Sequence, residues 1–291
     1  MRKALWIPAC LLLFFIGDRL GGFILSKITA KSQFRYTRLY EGQAEADLLF
    51  LGNSRGLIFY QPYIEEITGK STLNLSYNSM PIDLGRVVVT DYLEKYEAPE
   101  LLVIDVTMCD RHNPQLIAGF NTFSKYSDNL NRLIKTKDKK SWYAGKLSNL
   151  YRYNSEVFQR TLYYLGKSDE DWLNDRVISP TMEANIVNEE AVDLTIDDYL
   201  LTELDELIKT AEAKGVEVVL VVNPYYPPYI QKMKTFYNFL GLISGRTNKE
   251  IKDYSRVLTT TNGFADYQHL NKEGSKKYMD LLLRDGVLSK K

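Results

Sequence analysis

Three side chains in this sequence have the types and spacing to do covalent chemistry. A serine sits in the run Gly52-Asn53-Ser54-Arg55-Gly56, and Asp266 and His269 lie three positions apart near the other end. A serine hydroxyl is a weak nucleophile until a base takes its proton and fixed donors await the oxyanion. Residues 47–51 read Asp-Leu-Leu-Phe-Leu, a buried strand, so Ser54 falls in the turn that follows. The carboxyl edge of a doubly wound sheet is where such a turn exposes a side chain. The Asp266/His269 spacing lets a carboxylate reach one imidazole nitrogen while the other faces a site, so one short loop can supply both base and orienter. Separately, each has an ordinary reading: a polar turn, and a charged helix start. Together they predict nucleophilic acyl transfer.

The elements that must position these residues follow from the apolar pattern. Short apolar runs at 48–51, 72–75, 101–106, 216–222 and 256–259 alternate with helical stretches near 62–68, 83–95, 196–214, 228–244 and 272–284. The runs are continuously apolar, as buried parallel strands are, and the alternation predicts an α/β sheet covered by helices on both faces. Asn271 reads as the N-cap of the last helix and Gly286 as its stop; Gly69 and Gly215 fall where two other helices should end. From about 109 to 193 no such strand appears, while Tyr126, Trp142, Tyr143, Tyr151, Tyr153, Tyr163, Tyr164 and Trp172 crowd in. A structureless loop of that length is uncommon, so a mostly helical insertion over the sheet's carboxyl edge is expected. Its aromatics either pack a small core of their own or line a sugar- or acyl-binding lid.

Composition narrows the function. Thirty-seven basic residues balance thirty-seven acidic ones, which argues against a nucleic-acid binder. The run Lys135, Lys137, Lys139, Lys140 reads as a solvated loop. Two histidines and two widely separated cysteines, Cys10 and Cys109, argue against a zinc site and a disulfide framework, so no metal or cofactor is expected. At the N-terminus, Arg2 and Lys3 precede an apolar stretch that reaches from Ala4 to Ile28, interrupted by Asp18 and Arg19. It is long enough to span a bilayer and lacks a small-x-small cleavage site, so residues 1–28 read as an uncleaved signal anchor. Arg2 and Lys3 favour a cytoplasmic N-terminus, which puts residues 29–291 outside the cytoplasm. Asp18 and Arg19 either lie at the interface or contact an integral-membrane partner.

The pair Leu-Gly-Asn-Ser-Arg after the first strand and Asp-x-x-His-Leu-Asn before the last helix resembles the SGNH/GDSL hydrolase superfamily. It is similar in particular to its membrane-anchored bacterial branch, whose relatives modify cell-envelope polymers. The resemblance runs from about Asp47 to the C-terminus, without the insertion. It implies a flavodoxin-like three-layer α/β/α fold around a central parallel sheet of about five strands, with Ser54 as nucleophile, His269 as general base and Asp266 as its orienter. It departs in three places. Asn53 stands where the family's first block usually has Asp or Ser. The stretch Asn74-Leu75-Ser76-Tyr77-Asn78 lacks the second block's glycine, and the third block's Gly-x-Asn-Asp is absent. The oxyanion-hole donors must then come from Ser54, Ser76, Asn78 or Asn113. Gly52 to Gly56 also matches the Gly-x-Ser-x-Gly elbow of α/β-hydrolases, but there the serine follows several strands and the acid and histidine sit on separate loops.

The expected function is serine-dependent ester hydrolysis or O-acyl transfer on an extracytoplasmic cell-envelope glycan, in the bacterial periplasm or at the cell surface, through an acyl-serine intermediate. Its partners would be the acylated glycan or acyl donor, the membrane, and a membrane-bound O-acyltransferase. The alternative, which the missing motifs keep open, is an SGNH-fold binding or assembly subunit of such a system with impaired catalysis.

Overall fold

The computed structural model describes residues 6–173 and 175–291. They form two compact units, one of Met1–Gln43 with Pro114–Asp169 and the other of Ala44–Asn113 with Glu170–Lys291. The second unit holds the sheet. Its strands are β1 (Leu48–Leu51), β2 (Thr72–Asn74), β3 (Leu101–Asp105), β4 (Glu217–Val222) and β5 (Ile251–Asp253), all parallel, in the order β2-β1-β3-β4-β5. This is the flavodoxin-like doubly wound order, whose direction reverses at β1/β3. Every residue of β1, β2 and β3 is buried, which is why these runs are apolar throughout rather than alternating.

The β1–β2 and β2–β3 crossovers run to opposite sides of β1, and the right-handed rule for such connections puts their helices on opposite faces. Gln61–Thr68, between β1 and β2, packs with the last helix, Lys272–Arg284. Ile82–Lys95, between β2 and β3, packs with Asp198–Glu212, which in turn meets Phe236–Thr247. The caps anticipated from sequence are in place. Asn271 accepts from the Gly274 amide at 2.9 Å, and Gly69, Gly215 and Gly286 take positive φ, the left-handed conformation that glycine adopts without steric cost.

Two expectations need correction. The fifth strand is Ile251–Asp253, not 256–259. It is the edge strand and only partly buried, so it carries Lys252 and Asp253, whereas the apolar pair Val257-Leu258 lies in the following turn and loop. The helix expected over 228–244 is two helices, Pro227–Ile230 and Phe236–Thr247. Between them the amides of Lys234 and Thr235 bond to the Asp193 carboxylate at 2.8 and 3.2 Å, and Thr235 Oγ donates to the Leu194 carbonyl, which takes the chain out of helix.

The first unit is helical: Trp6–Thr29, Arg35–Glu41, Pro114–Gly119, Asp128–Lys137, Lys139–Leu147 and Glu156–Tyr163. Its core is aromatic, with Tyr36 edge-on to Phe34 and Phe120 at ring separations of 5.2 and 4.8 Å. A buried pair ties its two segments together, Arg35 reaching Asp169 through Nε at 2.8 Å and Nη2 at 3.0 Å. Of the aromatics singled out from sequence, Tyr153 is buried in this unit and Tyr126, Tyr143, Tyr151 and Tyr163 are exposed, while Trp172 belongs to the sheet unit. The lysine run is not a loop: it spans the end of one helix and the start of the next, with Asp138 between them capping the second by accepting from the Ser141 amide at 2.9 Å.

The helix Trp6–Thr29 is long and apolar enough to cross a membrane; Arg2, Lys3 and Ala4 lie outside the described residues. Asp18 does not point to an external partner. It is buried, and it accepts from Ser148 Oγ, from the Asn149 amide at 2.8 Å and from the Leu150 amide at 3.1 Å, with Arg19 3.5 Å away. The loop can approach this closely because Gly22 has no side chain: a Cβ there would lie 2.4 Å from Asn149 Cβ. The carboxylate is thus satisfied inside its own unit.

Candidate active site

β1 ends at Leu51, and the chain turns at Gly52 and Asn53 into a short 3-10 helix, Ser54–Ile58. Asn53 is its N-cap, its side chain accepting from the Arg55 amide at 2.9 Å. The turn is compact for a steric reason. A Cβ on Gly52 would lie 2.8 Å from Gly56 Cα, and one on Gly56 would lie 2.3 Å from Ser76 Oγ. Only glycine permits both approaches, and together they leave Ser54 at the carboxyl end of the sheet.

The histidine loop is held by its own backbone. Phe264 and Leu270 form an isolated antiparallel bridge, and the Ala265 amide bonds to the His269 carbonyl at 2.9 Å. Within it Asp266 accepts from the amides of Gln268 and His269 at 2.9 and 3.0 Å, fixing the carboxylate before it meets the ring. His269 Nδ1 then lies 2.9 and 3.1 Å from the two Asp266 oxygens, and Nε2 lies 2.9 Å from Ser54 Oγ. Burial works to raise the Asp266 carboxyl, but the His269 hydrogen bond and charge and the two amides outweigh it and hold the group below the usual carboxylate range. With Nδ1 protonated and bonded to Asp266, Nε2 is an acceptor aimed at the Ser54 hydroxyl. The three residues chosen from sequence therefore form one hydrogen-bonded chain.

Arg55, which sequence reasoning passed over, joins the two motifs. It is buried, its guanidinium stacks over Tyr225 at 3.3 Å, and it donates to the carbonyls of Asn223, of Pro224 at 3.3 Å and of Gln268 at 2.7 Å. Gln268 directly precedes His269, so the residue after Ser54 grips the His269 loop. Asp105, at the end of β3, lies 3.8 Å from Arg55 Nε and is fully buried. Asn223 returns the contact, donating to the Arg55 carbonyl at 3.1 Å while accepting from Tyr278 at 2.8 Å. An arginine beside a serine in a turn reads as solvent-exposed, so nothing in the sequence marks this one.

A cleft of about 310 Å³ opens at Ser54, walled by Leu57, Asn78, Trp172, Arg176 and His269. Trp172 is fixed by its indole N–H on the Leu57 carbonyl at 2.7 Å. Arg176 donates to the Ala265 carbonyl at 3.1 Å, and its guanidinium lies 3.6 Å from Asp266. Of the four oxyanion candidates, Ser54 and Asn78 line this cleft. Ser76 is buried behind the turn and commits its amide to Asn74 Oδ1 at 2.9 Å, so it cannot present that donor to a ligand. Asn113 donates to the Ser79 carbonyl at 3.0 Å and does not line the cleft; it braces the turn that carries Asn78.

No protein-family model matches the chain, and no curated protein matches it. Among solved structures, it is similar to a Bacteroides fragilis protein provisionally described as an acylhydrolase. The two share 12% identity over 83% of this chain and 87% of that one, with a TM-score of 0.39. A likeness of that degree carries no weight for fold or activity, which rest on the geometry above.

Proposed function

We propose that this chain is a serine esterase or O-acyltransferase of the SGNH type, in which Ser54, His269 and Asp266 form the catalytic triad. The observation that carries this reading is the continuous relay from Ser54 Oγ through the His269 ring to Asp266, with both contacts at 2.9 Å. In the first step His269 Nε2 accepts the Ser54 proton as Oγ attacks the acyl carbonyl. The tetrahedral intermediate collapses to acyl-Ser54 when the imidazolium returns that proton to the leaving alkoxide. In the second step water or a sugar hydroxyl attacks the acyl-serine, losing its proton to Nε2, and Ser54 is regenerated. Asp266 holds the Nδ1–H tautomer and stabilises the imidazolium in both halves. The Ser54 amide and the Asn78 side chain are the donors available to the oxyanion on the cleft wall.

The cleft volume suits a short acyl group. Trp172 and Leu57 supply an apolar wall, and Arg176 a cation at the mouth, which fits an acylated glycan with polar groups around the ester. The apolar N-terminal helix supports placing the protein at a membrane, and Arg2 and Lys3 ahead of it favour the sheet unit on the extracytoplasmic side. Purified full-length protein should hydrolyse 4-nitrophenyl acetate, and Ser54→Ala should lose at least ~10³-fold in kcat/KM with an unchanged circular-dichroism spectrum. Wild-type turnover by the alanine variant would remove Ser54 from the mechanism.

A further inference from the structure

The helical unit carries a surface beside the N-terminal helix that the proposed reaction does not use. The helix docks by one face only: Asp18, Gly22 and Thr29 are buried, whereas Leu20, Phe23 and Ile24 are exposed on the other. The docked loop is held at a defined level, the Leu147 carbonyl accepting from Arg19 Nη2 at 3.2 Å and the Leu150 side chain lying against Gly21, where a Cβ would be 2.9 Å away. Here Leu147 is 77% exposed and Tyr143 51% exposed. Around them the charge is one-sided, with five lysines against one aspartate over residues 135–147. Three of these lysines lie over aromatic faces: Lys135 and Lys146 over Trp142 at 5.0 and 5.5 Å, and Lys139 over Tyr143 at 6.0 Å.

Lengths decide where this surface lies if the helix spans a bilayer, an inference that rests on the anchor reading. A hydrocarbon core of about 30 Å takes about 20 helical residues. Residues 6–17 rise about 18 Å, and the span reaches roughly 28 Å only when it extends along the exposed apolar face to Ile24. Leu147 and Leu150, fixed beside Arg19 and Gly21, then sit about 5–8 Å inside the level of Ile24. That is the depth at which interfacial amphipathic segments rest, with aromatics at the headgroups and lysines reaching the phosphates. It also accounts for Asp18, whose carboxylate is hydrogen-bonded there by its own loop and lies 3.5 Å from Arg19.

We propose that the helix Lys139–Leu147 and the loop to Tyr151 form an interfacial membrane-binding surface, with Leu147, Leu150 and Tyr151 in the acyl boundary and Lys135, Lys139, Lys140 and Lys146 on anionic phospholipid headgroups. The test uses the full-length chain with Cys10→Ser, reconstituted into phosphatidylcholine vesicles with or without phosphatidylglycerol. A nitrobenzoxadiazole label is placed at Leu147→Cys or, as the report on helix insertion, at Leu12→Cys. Buried Cys109, its thiol pushed well up by burial, stays unlabelled. With the Leu12 label protected, the Leu147 label should be quenched by a shallow nitroxide lipid. It should also be reduced by dithionite about fivefold more slowly when phosphatidylglycerol is present. Replacing the four lysines by glutamine should abolish that lipid dependence and leave the Leu12 label protected.

A Leu147 label reduced as fast as free dye beside a protected Leu12 label would overturn the surface and leave the anchor standing. A Leu147 label that is shielded but unquenched by nitroxide lipid would mean a protein contact and overturn it too, as would full lipid dependence in the four-lysine variant. A Leu12 label open to water would instead overturn the anchor reading itself.

Discussion

The Asp266 carboxylate is fixed by two amides before it touches His269, so in the proposed mechanism it holds the ring rather than exchanging a proton. Asp266→Asn should keep the fold but favour the wrong tautomer, lowering kcat by about 10²–10⁴ with little change in KM for a small ester, readable by steady-state kinetics. The same carboxyl gives a pH signature. Because its pKa is lowered in the folded protein, its ionised form contributes stability at pH values above the unfolded-state value, about 3.9. That contribution disappears as pH falls through the lower folded value. Acid titration of unfolding should therefore show a shallower loss of stability below about pH 4 in Asp266→Asn than in the wild type. Ser54, Asp266 and His269 were legible because histidine is scarce, with two in the chain, and because the serine turn and the Asp-x-x-His spacing are specific. Arg55 was not, since burial of a charged side chain depends on Asn223, Pro224 and Gln268, which are distant in sequence and show no pattern of their own.

The elements were legible where burial on both faces forces continuous apolarity. β1 matches its apolar run from end to end, and β2, β3 and β4 differ from theirs by one residue. β5 was misplaced because an edge strand needs no such run, and the split of the 228–244 helix depends on Asp193, more than thirty residues upstream. The turn after β1 makes a sharper claim. Gly56→Ala would push a methyl to 2.3 Å from Ser76 Oγ and 3.0 Å from its Cβ, so the buried Ser76 side chain or the turn must shift to admit it. Overpacking of this kind costs about 1–3 kcal/mol, and because the strain falls beside Ser54 the loss of kcat should exceed what the stability loss implies. Chemical denaturation and kinetics on the same preparation measure both. Arg55→Ala should cost more, about 3–5 kcal/mol, because it leaves the carbonyls of Asn223, Pro224 and Gln268 without their donor, removes the cation beside the buried Asp105, whose carboxyl burial already pushes up, and frees the Gln268 loop.

At the scale of the whole chain, sequence separated an apolar N-terminus, an α/β sheet and an aromatic-rich stretch, but it did not show how these associate. Residues 1–43 group with 114–169 rather than with the sheet, because the partners of Asp18 and Arg35 are Ser148, Asn149, Leu150 and Asp169. No local pattern announces a pairing across more than a hundred residues. Asp18→Leu should leave the protein in the membrane fraction, since the helix only gains apolarity. It should strip the 148–150 loop of its acceptor and speed proteolysis near Tyr151 several-fold, measured by limited digestion and mass spectrometry. Unchanged digestion would show that Asp18 does not hold that loop.

The most direct measurement of the central claim is mapping of a fluorophosphonate adduct on the intact protein. A triad with an activated serine should yield one stoichiometric adduct, located by tandem mass spectrometry on the peptide containing Ser54, and His269→Ala should slow its formation by at least ~10³-fold. No adduct, or an adduct on another residue at the same rate in wild type and His269→Ala, would contradict the assignment of Ser54 as the nucleophile.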